Sequence, residues 1–285
     1  MKKLLGLLVL FVSYIAAVIL GIICFNLFKD KMDLFLNLLC CNVIATAFIW
    51  LIGVIFKTAS IYDPYWSLQT PIIYIGLLIY FNCFNFGNIL YLLFILFWAI
   101  RLTVNFVIGF NDITYIDWRY KKIKEKCKMF YQIVSLLGIH LIPTLIVHFA
   151  SIPAYFYIVN GCDFNALNLI GLGIMFLGVL LELLSDKSMY EFKKIRNSNK
   201  EIINIGLWRY SRHPNYLGEI IFWYGVALVY ILLNASYYYL ILGALLNTLL
   251  FMLISIPLAE GNLKAYKDGY IEYKKRTRML LPFKK

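Results

Sequence analysis

Eight stretches of about twenty apolar residues follow one another along this chain, at roughly 4–28, 34–56, 66–84, 88–110, 130–158, 166–185, 215–233 and 236–258. A helix needs about 20 such residues to cross the hydrocarbon layer of a bilayer. Composition agrees: the chain is 62% hydrophobic and only 15% charged, with a mean hydropathy of +0.77, against about 25% charged in ordinary soluble domains. A water-soluble globule of this make-up would expose large greasy patches. The expectation is therefore an all-α, polytopic membrane helical bundle of about eight transmembrane helices. The count falls to seven if the third run, interrupted by Pro71 and by Asn82 to Asn88, does not span. The fifth run carries Pro143 and Pro153 and is expected to be kinked or broken.

The net charge of +12 would suggest a polyanionic partner on a soluble protein, but here position decides its meaning. Alternating the sides of eight spans places both termini and the loops near 57–65, 111–129 and 186–214 on one face. That face holds 24 of the 27 basic residues, Lys29 and Lys31 lie opposite, and Arg101 sits inside a span. The positive-inside rule then puts both termini in the cytosol. No nucleic-acid partner or obligate protein partner is indicated. Met1 to Phe28 begins like a signal peptide, yet its apolar run exceeds 20 residues, so it reads as a retained helix. The six cysteines form no C-x-x-C pair, which points to small buried hydrophobes and away from disulfide or zinc chemistry.

The strongest local pattern is Gly206-Leu-Trp-Arg-Tyr-Ser-Arg-His-Pro-Asn-Tyr-Leu-Gly-Glu219, a polar and basic segment running straight into an apolar span. Pro214 suits the first helical position, so Ser211 to His213 fall at a helix start, where free N–H groups and a partial positive charge make an anion site. Asn215, Gly218 and Glu219 share a face further in, and ionisable groups inside a span are costly and usually functional. Glu182 and Asp186, at i and i+4, face the same way and could orient ribose hydroxyls or hold Arg212. Arg101 lies mid-span with Asn105 one turn away, and needs a partner inside the bundle. Asp63-Pro-Tyr-Trp-Ser and Asp117-Trp-Arg-Tyr stand at the cytosolic mouth. No metal site is expected, and His140 and His148 read as structural.

In order and spacing these blocks, with Trp98 to Arg101 and the tail Tyr270-Ile-Glu-Tyr-Lys-Lys-Arg-Thr and Pro282, resemble the steroid 5-alpha-reductase C-terminal-domain family, in its mostly bacterial and protist branch of polytopic membrane reductases. The match covers about Asp63 to Pro282. Residues 1–60 therefore read as N-terminal transmembrane helices outside it, and 61–285 as a reductase-like catalytic domain with cytosolic loops and tail. The resemblance implies NADPH held from the cytosolic side and an apolar lipid substrate entering from the bilayer. It further implies hydride addition to a carbon–carbon double bond conjugated to a carbonyl. In its terms Asp186, Asn215 and Glu219 belong to the cofactor region and Arg101 lies near it; taken with the anion site read above, Arg101, Asn105, Glu182, Asp186, Arg212, His213, Asn215, Tyr216 and Glu219 are the expected cofactor-binding residues. Glu182 stands where animal steroid reductases carry Asn, and their Glu and Tyr substrate pair has no assigned counterpart; Asp63, Tyr65 and Trp98 are the candidates for the catalytic side. The expected setting is a bacterial inner membrane or the endoplasmic reticulum, with the active site facing the cytosol.

Arg-His-Pro-x-Tyr also occurs in membrane methyltransferases, so an S-adenosylmethionine-dependent enzyme acting on a lipid or prenylated thiol is the alternative. A non-enzymatic scaffold or transporter would leave Arg101, Glu182, Asp186 and Glu219 without a role.

Overall fold

The computed structural model describes residues 1–281, so Pro282 lies outside the described residues. The helices are α1 Lys2–Phe28, α2 Leu34–Ile55, α3 Tyr65–Phe81, α4 Phe86–Gly109, α5 Trp118–Cys127, α6 Tyr131–Val134, α7 Ile142–Val159, α8 Asn168–Ile195, α9 Pro214–Ile231, α10 Leu242–Leu250, α11 Ile256–Tyr266 and α12 Tyr270–Arg276. Among the described residues there is no strand, only an isolated bridge between Ser211 and Arg278.

Each apolar run becomes helical. Among the described residues, six helical stretches are long and apolar enough to cross a membrane, as in a multi-pass membrane protein. Of the other two runs, the third yields a helix of 17 residues, and the seventh opens with Pro214, Asn215 and Glu219 in its first two turns. Large apolar side chains such as Leu5, Phe11, Ile19, Leu93 and Ile100 are exposed, an arrangement that suits lipid rather than water.

The breaks have local causes. The Asp33 carboxylate accepts from Phe35 N–H and Leu36 N–H and starts α2, while Asn82 in the left-handed region ends α3. The fifth run, expected to be kinked or broken, stays helical but widens into a π-helical turn at Ser135–Leu141, and α7 runs on through Pro153; a second π turn lies at Phe251–Ser255. Both sit just before a proline, Pro143 and Pro257. A helical proline lacks its N–H and crowds the carbonyl four residues back, here Ile139 and Leu253, and widening that turn relieves the clash.

The chain divides into two compact units, one built from Met1–Phe84 with Trp98–Phe149, the other from Asn85–Phe97 with Ala150–Lys285. In the second, α8 and α9 cross antiparallel with their backbones in contact. A Cβ on Gly178 would lie 2.7 Å from Gly218 O, one on Gly225 would lie 2.6 Å from Met175 N, and one on Gly171 would lie 2.5 Å from Val229 N. Gly171/Gly178 and Gly218/Gly225 thus form two seven-residue pairs that let the helices approach as small residues do in membranes. A Cβ on Gly218 would also meet Glu182 Cγ at 2.6 Å. Gly218→Val is therefore expected to destabilise the protein by about 1 to 3 kcal/mol through overpacking, read as a lowered thermal midpoint in detergent, whereas Gly173→Val, with open space around its Cα, should leave it unchanged.

Candidate functional site

In the second unit the crossing carries the polar residues singled out in the sequence. Glu182 is fully buried against Gly218, and Glu219 is buried and accepts a 2.8 Å hydrogen bond from Trp223 Nε1. Because the helices run antiparallel, Asp186, one turn past Glu182, and Asn215, one turn before Gly218, come to the same end of the pair, and both are half-buried. His213 is the N-cap of α9 and Pro214 its first residue, as the sequence implied. The His213 ring stacks on Tyr216, with centroids 5.3 Å apart and planes 4° from parallel, and Tyr216 meets Phe251 of the second π turn at 4.7 Å.

The loop leading into α9 is tied down throughout. Trp208 Nε1 donates to Ser185 O at 2.9 Å, and Lys267 Nζ donates to the carbonyls of Asn199 and Glu201. Gly206, at φ +54, brings its Cα against the Ser188 hydroxyl, where a Cβ would sit 2.4 Å from Oγ.

Arg212 differs from expectation. Its guanidinium is held neither by Glu182 nor by Asp186 but by Glu260, with Nη2 and Nε at 2.6 and 2.8 Å from Oε1. Nη1 donates to Thr277 O at 2.5 Å, and the Arg212 amide donates to Arg278 O at 2.9 Å. Glu260 also takes Lys274 Nζ at 2.7 Å on its other oxygen and lies 3.4 Å from His213 Nε2. A carboxylate only accepts, so that nitrogen carries the proton. The Tyr273 hydroxyl closes the cluster by donating to Trp208 O at 2.5 Å, and burial pushes that phenol up from its ordinary value. Arg212 is thus the rivet between the α9 start and the tail, which leaves the first-turn N–H groups of α9 and its dipole as the source of positive potential at this end.

In the first unit, the Asp63 and Asp117 blocks meet each other. The Tyr120 hydroxyl donates to Asp63 Oδ1 at 2.5 Å, Arg119 lies 3.9 Å from Asp63 and 2.7 Å from Asp117, and Asp117 N–H donates to Ser60 Oγ at 2.8 Å. The side chain of Asp63 is 16% exposed, and burial raises its carboxyl to about 6, with Arg119 and Tyr120 opposing. A carboxyl raised above its unfolded value of 3.8 favours the folded state while protonated and loses that contribution as pH rises through about 6. Wild type minus Asp63→Asn stability, followed by thermal unfolding, should therefore fall between about pH 4 and 6 and be flat above about 7.

Trp98 is fully buried, its ring edge-on to Trp66 at 5.7 Å. Arg101 is 8% exposed, whereas Asn105 is exposed and joins no buried cluster among the described residues. Tyr65, by contrast, lines a cleft of about 380 Å³ between α1, α2 and α3, within the usual range of small-molecule sites. Its walls are Ala17, Val18, Leu38, Ile73 and similar residues, with Gly21 and Gly76 leaving room.

Asn42 and Gln69 supply one polar patch on this wall and belong to a buried network that sequence reading missed. Asn42 Nδ2 donates to Gln69 Oε1 at 3.0 Å and lies 3.3 Å from His148 Nδ1. Gln69 Nε2 donates to Thr144 Oγ1 at 3.1 Å, and Thr144 bonds the Tyr62 hydroxyl at 2.8 Å and Thr46 at 3.2 Å. The signal was present as Asn42/Thr46 and Thr144/His148, two i, i+4 polar pairs on otherwise apolar helices. His148, read from the sequence as structural, is thus part of a buried polar network.

The chain belongs to the family described as "Protein of unknown function (DUF1295)", which it matches over residues 49–277. An uncharacterised protein of Schizosaccharomyces pombe is 24% identical over 201 residues, covering 61% of this chain and 58% of that protein; the chain thus spans little more than half the length of that relative. No solved structure matches it.

Proposed function

We propose that this protein is a membrane-embedded, NADPH-dependent reductase acting on a carbon–carbon double bond conjugated to a carbonyl in an apolar lipid, with both termini and the cofactor site on the cytosolic side. The observation that carries the reading is the end of the α8/α9 pair. There the N-terminus of an 18-residue helix, two half-buried polar side chains, Asp186 and Asn215, and the His213–Tyr216 stack lie together. A helix start suits a pyrophosphate, carboxylate and amide suit ribose hydroxyls, and an aromatic face suits a heteroaromatic ring. The ordered residue blocks that resemble steroid 5-alpha-reductases give the reaction class.

The cleft of the first unit supports the substrate class. Its mostly apolar walls fit a hydrocarbon body, and the Asn42–Gln69 patch fits a carbonyl. NADPH would supply the hydride to the β carbon. The chain's part is then to keep water away and to place donors at the oxygen that becomes an enolate, a role that falls to Tyr65 and the Asn42 and Gln69 amides. The Asp63 cluster, tied to Arg119 and Tyr120, positions the loop that leads into α3.

Detergent-solubilised protein is expected to bind NADPH in preference to S-adenosylmethionine, to oxidise NADPH on addition of an apolar enone, and to lose at least about 10-fold in NADPH affinity, about 1.4 kcal/mol, on Asp186→Ala or Asn215→Ala. No nucleotide binding by the intact protein would refute the reading. One observation favours a second reading, an S-adenosylmethionine-dependent methyltransferase: Arg212-His213-Pro214-Asn215-Tyr216 converges on Glu260. Transfer of a labelled methyl group to membrane lipids, without NADPH oxidation, would establish it instead.

A further inference from the structure

A second cavity, of about 70 Å³, lies in the first unit where the end of α2 faces α5, α6 and the first π turn. Two of the side chains lining it, Trp50 and His140, carry buried nitrogens, Nε1 and Nε2, that have no hydrogen-bond partner among the described residues. His140 is fully buried. Its Nδ1 lies 2.8 Å from Ser135 O, and a carbonyl only accepts, so Nδ1 bears the proton and Nε2 of the neutral ring is an acceptor. Trp50 Nε1–H can only donate. A ligand that presents an acceptor to Trp50 Nε1 and a donor to His140 Nε2 would satisfy both.

Charge narrows the choice. Lys57 and Lys124 both line the cavity, and the Lys124 ammonium stands 5.8 Å from the centre of the Tyr131 ring, which lines it too. Lys57 occupies the left-handed position after α2 at φ +58, with Thr58 N–H closing the turn onto Gly53 O at 2.9 Å. That position ordinarily takes glycine, so the lysine sits there against its backbone preference. An oxyanion satisfies the two lysines and Trp50, and a hydroxyl on the same ligand satisfies His140. The volume is several times the roughly 10–15 Å³ that one water needs. From this donor and acceptor set we infer a binding site for a phosphate group that carries an O–H of its own or on its ester. It could be an anionic phospholipid headgroup with a free hydroxyl, such as phosphatidylglycerol, or a free phosphate. The site shares no lining residue with the cleft lined by α1 to α3.

The test uses the full-length protein in a phosphate-free detergent, with thermal midpoint as readout and two probes: inorganic phosphate, and bicelles with or without phosphatidylglycerol in phosphatidylcholine. Lys124→Gln and Trp50→Phe are the variants; the first changes an exposed side chain, so folding is retained. At least one probe is expected to raise the wild-type midpoint, with apparent affinity at least 10-fold weaker in each variant. Stabilisation by phosphate assigns a free ligand. Stabilisation by phosphatidylglycerol alone, with phosphorus recovered from purified wild type and depleted from Lys124→Gln, assigns a lipid headgroup. No shift with either probe, or equal shifts in wild type and both variants, would overturn the site and leave a water-filled cavity.

Discussion

Glu260→Ala should release the C-terminal tail and lower stability by about 3 to 5 kcal/mol, the cost of stranding a buried charge. The Arg212 side chain is 6% exposed and that of Glu260 11%, and the same carboxylate also holds Lys274 and lies beside His213. Without it, Arg212 and His213 at the α9 start and Lys274 in α12 lose their shared acceptor, and the carbonyls of Thr277 and Arg278 are left to hold Arg212. Trypsin reports the release directly, because Lys274, Lys275, Arg276 and Arg278 should be cut far faster in the variant. Two controls isolate the cause. Glu260→Gln keeps an acceptor oxygen and should fall between wild type and Glu260→Ala. Arg212→Met combined with Glu260→Ala removes the stranded charge and should recover part of the lost stability. If the double variant is no more stable than Glu260→Ala, the pair is not the rivet. Under the proposed function NADPH affinity should follow tail release, since His213 and Arg212 fix the start of α9.

That rivet also marks where sequence reading stopped. The apolar runs were legible because a bilayer demands about 20 such residues in a row; that requirement acts on each segment alone. Prolines are local signals too: Pro143 marks a distortion of the fifth run, whereas Pro153 is absorbed inside α7 without a break. Spacing placed Pro214 at the first position of α9, and it put Glu182 and Asp186 on one face. The Arg212 partner was beyond reach, because Glu260 lies 48 residues away and no periodicity links them; neighbouring Glu182 and Asp186 were the nearer acids to consider. Where the apolar run ends near residue 185, α8 continues to Ile195, since charged residues such as Lys187, Glu191 and Lys193 end a hydrophobic stretch without ending a helix. The contact between the Asp63 and Asp117 blocks was equally hidden, although both had been noticed. In each case the residues were visible and their pairing was not.

Under the proposed function, the buried amide network permits the sharpest separation of substrate handling from cofactor handling. Gln69→Leu is nearly isosteric, so it should not open a cavity; it removes the acceptor of Asn42 and one donor to Thr144, leaving groups that are unsatisfied in a dry interior. The expected loss of stability is about 1 to 3 kcal/mol, the desolvation cost of an unpaired buried polar group. The functional effect should be larger. If the cleft receives an enone, its oxygen needs the donors at the polar patch most when negative charge develops. Removing one donor to such an oxygen commonly lowers kcat by about 100- to 1000-fold. The loss should fall on kcat with enone, while NADPH affinity, set in the other unit, stays within about 2-fold, well under the 10-fold that 1.4 kcal/mol represents. Ile72→Ala, on the apolar wall of the same cleft, should instead raise KM and spare kcat, because it removes contact made equally in ground and transition states. If Gln69→Leu leaves kcat intact while Ile72→Ala raises KM, the cleft binds the lipid but does not polarise its carbonyl, and the enolate must be stabilised from another residue. If neither variant changes turnover, the cleft is not the substrate site.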